Sequence, residues 1–96
     1  MNQTNNYSYP IDPSWSNEEL STVINMFRVV EDAYETGTSK EAILNQYRKF
    51  KEFVNSKAFE KQLGKEFEDV SGYSLYKVVQ KAKNSTSDEV RMRDND

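Results

Sequence analysis

Residues 7–20 read YSYPIDPSWSNEEL, and the last six of them announce a helix. Ser16 offers its hydroxyl as N-cap, and Glu19, three residues on, can return its carboxylate to the Ser16 N–H, completing a reciprocal capping box. Trp15 before the cap and Leu20 at the fourth helical position predict a hydrophobic staple that fixes how the chain enters the helix. Upstream, Tyr7, Tyr9 and Ile11 alternate with period two, and Pro10 and Pro13 hold the backbone extended. The stretch therefore predicts an aromatic arm lying across a helical body.

Downstream, apolar residues recur three and four apart at Leu20, Val23, Ile24, Phe27, Val30 and Tyr34, which places the first helix over 16–35. Gly37 supplies its stop. Thr38 with Glu41 predicts a second capping box, opening a helix that shows Ile43, Leu44, Tyr47, Phe50 and Val54 on one side. Asn55 breaks that helix, and Ser56 caps a third, with Phe59, Leu63, Phe67 and Val70 facing inward. Gly64 lies inside the third helix at a cost of about 1 kcal/mol relative to Ala, as expected where two helices cross closely. Ser71 and Gly72 close it. A short fourth helix over 75–83 is predicted to turn Tyr76, Val79 and Ala82 inward.

Residues 1–6 are polar and expected to be disordered. From Asn84 on, NSTSDEVRMRDND lacks periodicity, and 84–96 reads as a disordered tail. Residues 7–83 then form a single helical domain. Its predicted class is all-α, four short-loop helices in a compact array with an extended aromatic N-terminal arm.

Composition narrows the chemistry. The 96 residues contain no Cys and no His, which excludes disulfides, thiolate nucleophiles, Ser-His-Asp and Cys-His arrangements, and zinc sites built on those ligands. Hydrophobic residues make up 35% of the chain, and aromatics 12%, so a few large rings must carry the core. No apolar run approaches the ~18 residues of a membrane helix. The opening MNQTNNYSY has neither the basic nor the apolar region of a signal peptide. With the absence of Cys, these features set the expectation of a cytoplasmic location.

The blocks YSYPIDPSWSNEE, EDAYETG, YRKFKEFVNSKAFEK and KEFEDVSGYSLYKVVQKAK, in that order over residues 7–83, resemble the YktA-like family of small bacterial proteins, uncharacterised protein family number 0223. The resemblance implies a compact all-helical cytoplasmic domain and no activity. Two positions depart from the family pattern: Asn55 stands where Pro is frequent, and Phe59 where an acidic residue is. The segment after Asn84 has no counterpart in the resemblance.

Charge is divided unevenly. Residues 1–47 hold two basic and seven acidic side chains, residues 48–83 nine basic and five acidic, and the remainder two basic and four acidic. Lys57, Lys61 and Lys65 form a row at i, i+4 spacing, which Arg48, Lys49, Lys51, Lys77, Lys81 and Lys83 can extend into a basic face. That face could bind an anionic partner such as RNA, with Tyr73 or Tyr76 stacking on bases. The simpler reading is solvated lysines, or attraction between helices one and three. Glu31, Asp32 and Glu35 cluster at the end of the first helix, but a bundle metal site usually adds His, and a solvated acidic face explains them.

No residue is expected to be catalytic, to bind a cofactor or to hold a metal. The reading these observations favour is a small cytoplasmic non-enzymatic adaptor or regulator that meets a protein partner through Lys57, Lys61, Lys65, Tyr73, Tyr76 and Phe53. An RNA-associated factor using the basic face of 48–83 is the alternative. A carboxylate enzyme using a divalent ion comes third.

Overall fold

The computed structural model describes residues 7–92. Among them four α-helices follow one another: α1 (Asn17–Glu35), α2 (Lys40–Phe53), α3 (Lys57–Ser71) and α4 (Leu75–Asn84). Two short strands, β1 (Thr38–Ser39) and β2 (Glu89–Val90), pair antiparallel with Thr38 opposite Val90. The all-α class with an aromatic arm is what the sequence predicts. No helix among the described residues is long and apolar enough to cross a membrane.

Each helix begins on a serine. Ser16 and Glu19 form the full capping box, while Ser56 and Ser74 accept the N–H groups of Phe59 and Lys77, each satisfying an otherwise orphaned donor. At α2 the prediction needs correction. The cap is Ser39, whose Oγ accepts the Ala42 N–H at 2.9 Å, because Thr38 is taken into the ladder with Val90. The stops hold as read. Gly37 (φ +88°) and Gly72 (φ +81°) are both left-handed, and the Gly72 N–H donates to the Glu68 carbonyl, the usual glycine closure of a helix.

The core runs along α1 through Val23, Met26, Phe27, Val30 and Ala33, all fully buried. Phe27 stacks on Phe67 of α3, with ring centroids 4.4 Å apart and planes 6° from parallel. The arm lies over this pair. Tyr9 sits 5.5 Å from the Phe27 ring and 6.1 Å from Phe67, and Tyr7 meets Phe67 edge-on. Trp15 is half-buried; its ring packs against Phe53 at 5.4 Å and Phe59 at 6.2 Å, so the entry to α1 is fixed by an aromatic trio from three elements. Phe59 is thereby a packing residue.

Two inward assignments and one expected crossing change. Tyr76 is 71% exposed, since the inward face of α4 is Leu75, Val78, Val79 and Ala82. Val70, in the last turn of α3, is 42% exposed. Gly64 lies at no crossing, because a Cβ built on it meets nothing within 4 Å.

The larger correction concerns the expected tail. Residues 85–92 fold back. A turn built on the Ser85 and Ser87 hydroxyls leads into β2, the Lys40 N–H donates to the Asp88 carbonyl, and the Met92 N–H donates to the Ala33 carbonyl at 2.8 Å. Val90 and Met92 are buried, because they close the end of the core beside α1 and β1. The two apolar residues that looked isolated are the pair the core takes. The expected disorder of residues 1–6, and of 93–96, lies outside the described residues.

Candidate functional site

The third and fourth helices meet at a groove of about 580 Å³. Its α3 side carries Lys57, Lys61, Gly64, Lys65 and Glu68, and its α4 side Ser74, Leu75, Tyr76 and Val79. The i, i+4 spacing of the lysines keeps them on one strip of α3. The same periodicity puts Gly64 between Lys61 and Lys65, where the strip loses its side chain. Opposite, Leu75 and Val79 are buried and supply apolar floor, while Tyr76 stands on the rim.

Tyr47 of α2 reaches the same groove. Its hydroxyl donates to Glu60 Oε2 at 2.7 Å, and Lys51 Nζ holds Glu60 Oε1 at 2.6 Å. Lys51 and Lys83 place their ammonium groups 6.0 and 5.5 Å from the Tyr47 ring centroid, within cation–π range. Partial burial, then the hydrogen bond and charge of Glu60, push the Tyr47 phenol up to about 12. Tyr47 is thus a neutral donor that fixes Glu60 in place. Lys57 and Lys61 have no hydrogen-bond or ion-pair partner among the described residues, whereas Lys65 pairs with Asp69 at 3.2 Å.

Of the six predicted surface residues, Lys57, Lys61, Lys65 and Tyr76 therefore come together. Tyr73 and Phe53 do not. Tyr73 stacks on Tyr34 at 4.5 Å and donates to Glu35 at 2.8 Å, while Phe53 belongs to the trio with Trp15 and Phe59. The sequence reads Gly64 as a helix crossing, Tyr47 and Val79 as core and Lys51 as part of the basic face, and it assigns neither these nor Leu75 and Glu60 to the surface site. The signal available for them was a glycine in mid-helix with no periodic reason to be there.

The acidic cluster of α1 is engaged by phenols. Glu31 accepts from both Tyr7 and Tyr9, the latter at 2.8 Å, and Glu35 from Tyr73. Burial, then the Glu31 hydrogen bond and charge, push Tyr9 up to about 12 and raise Tyr7 further. Asp32 is raised by burial and by neighbouring Glu35. No group of three or more candidate ligands converges on a metal position among the described residues. A second hollow of about 590 Å³ lies between the arm and α3, against Pro10, Ile11, Trp15 and Glu66; its lining includes no lysine or arginine.

A model of the Uncharacterised protein family (UPF0223) matches residues 6–91. The chain is 58% identical over 80 residues to a UPF0223 protein of Streptococcus gordonii, covering 83% of this chain and 87% of that one. A UPF0223 protein of Bacillus cytotoxicus is 51% identical over 79 residues, covering 82% and 89%. One from Streptococcus sanguinis is 56% identical over 78 residues, covering 81% and 85%. The match to residue 91 takes in β2, so the folded-back segment is no addition peculiar to this chain. With 85% or more of each relative's length aligned and the family match spanning arm, helices and β2, the chain belongs to the uncharacterised protein family UPF0223.

Proposed function

We propose that the chain is a non-enzymatic cytoplasmic interaction domain, an adaptor or regulator that receives a segment of a partner protein in the groove between α3 and α4. Gly64 carries this reading. A glycine inside a helix costs about 1 kcal/mol relative to Ala, and two internal reasons commonly justify it. One is a left-handed backbone, which here belongs to Gly37 and Gly72. The other is close packing, and at Gly64 a Cβ would point into open space. What remains is an approach to the backbone by something outside the chain, and Gly64 lies in the groove wall.

The non-enzymatic part rests on the chemistry at hand. The chain has neither His nor Cys, and Glu31 and Glu35, one turn apart on α1, are each held by tyrosine hydroxyls. An RNA-binding role would use the same lysines, but the net charge of −3 and the presence of Glu60 and Glu68 in the groove oppose a polyanion.

The test is capture of tagged protein from a native lysate, with and without nuclease, beside Gly64→Leu, which fills the groove from its own wall. A stoichiometric protein that survives nuclease and is lost from Gly64→Leu is expected. Equal capture by both forms would remove the groove from the function.

A further inference from the structure

Resting on that reading, we infer that the groove takes a short extended acidic segment of the partner, with two carboxylates on alternate residues and a large aliphatic side chain two residues further on. Lys57 and Lys61 are exposed and without partners among the described residues, so two ammonium groups wait on one wall. Of the other charges there, Glu60 is engaged by Tyr47 and Lys51 and Lys65 by Asp69, which leaves Glu68 at the far end. Four residues of helix advance about 6 Å, and alternate residues of an extended chain advance about 6.6–6.8 Å. Carboxylates on alternate residues therefore keep step with the two lysines.

The next same-face side chain then passes Gly64 and comes about level with Lys65, whose charge Asp69 already holds, and the missing Cβ leaves room over the floor made by Leu75 and Val79. Tyr76, 71% exposed, can close over it as an aromatic anchor of the kind that dominates interfaces. A volume of about 580 Å³ falls within the ~300–1,000 Å³ of ligand clefts and suits a single extended strand.

Electrostatics also sets the direction. Lys57 begins α3, where the helix dipole adds positive potential, and Glu68 lies toward the opposite, negative end. Carboxylates belong at the Lys57 end, and a further acid at the Glu68 end is repelled.

The probe is an acetylated, amidated peptide of sequence Glu-Ser-Glu-Ser-Leu, titrated into the isotope-labelled full chain while backbone amide shifts are followed. Shift changes confined to residues 57–65 and 75–79 are expected. Affinity should fall by about tenfold or more in Lys57→Glu/Lys61→Glu and, separately, in Gly64→Leu. Both variants change exposed or open positions, and melting temperatures no lower than that of the parent chain confirm that they fold. No shifts at millimolar peptide, or equal binding of Lys-Ser-Lys-Ser-Leu, would overturn the inference. So would polyuridylate binding the same residues more tightly than the peptide. Should the peptide fail while Gly64→Leu still loses its captured protein, the groove reading stands and the acidic ligand is wrong.

Discussion

At Gly37 the backbone turns to φ +88°, and an added Cβ would stand 2.7 Å from Glu89 Oε2. Gly37→Ala should therefore cost about 1–2 kcal/mol, the left-handed penalty of an L-residue. The same substitution at Gly64, where the helix is ordinary and the space empty, should stabilise by up to about 1 kcal/mol. Urea unfolding of the two variants reads the signs directly; a loss at Gly64 would mean the glycine serves the fold after all. The phenols give a second residue-scale expectation. Tyr9, Tyr47 and Tyr73 are pushed up to about 12, above the ~10 of an unfolded tyrosine, by burial and by carboxylates that accept their protons. Their contribution is complete below pH ~10 and disappears as pH rises from there toward 12, since the unfolded chain ionises first. Tyrosinate absorbance followed with unfolding should show these rings ionising late, together with loss of helix. Glu60→Gln should bring the Tyr47 portion earlier.

Among the elements, the folded-back segment has the largest untested consequence. Val90 and Met92 are buried, so Met92→Ala should cost about 2–3 kcal/mol, at the low end for core methionines, and removal of residues 86–96 should lower the melting temperature clearly. An unchanged melting temperature would mean that β2 contributes nothing. Trp15→Ala should cost about 2–3 kcal/mol, below the full core value because the ring is half-buried. The four helices were legible because their signals are local: a serine cap, a 3.6-residue stripe, a glycine stop. The strand pair was not, since two residues per strand are too few to show alternation and the partners lie some fifty positions apart. Met92 returns to Ala33 across still more chain. For the same reason the lysine row was visible within one helix, while the floor of the groove, made by α4, was not. Tyr76 shows how narrow the margin is: on a ten-residue helix one position of phase separates the inward face from the rim.

On the scale of the molecule, residues 1–47 and 48–83 carry opposite net charge, −5 and +4. No described ion pair joins α1 to α3: the pairs are Lys51–Glu60, Lys65–Asp69 and Arg91–Glu89. Glu31 and Glu35 at the end of α1 are satisfied by tyrosine instead. The asymmetry is thus left for the surroundings, and the Lys57→Glu/Lys61→Glu double variant should keep its stability within about 0.5 kcal/mol. A larger loss in thermal unfolding would show that those lysines hold the fold.

Both ends of the described chain fasten on α1, the arm through Tyr7 and Tyr9 on Glu31 and residue 92 on the Ala33 carbonyl. This orders events at the ribosome. Everything up to α4 can emerge while the seam meant for Val90 and Met92 stays open, so the domain closes only when those residues appear. A chain halted before Val90 would leave that seam open to water. Quality-control proteases, which act on such openings, would then be able to tell a copy lacking Val90 and Met92 from one that has them.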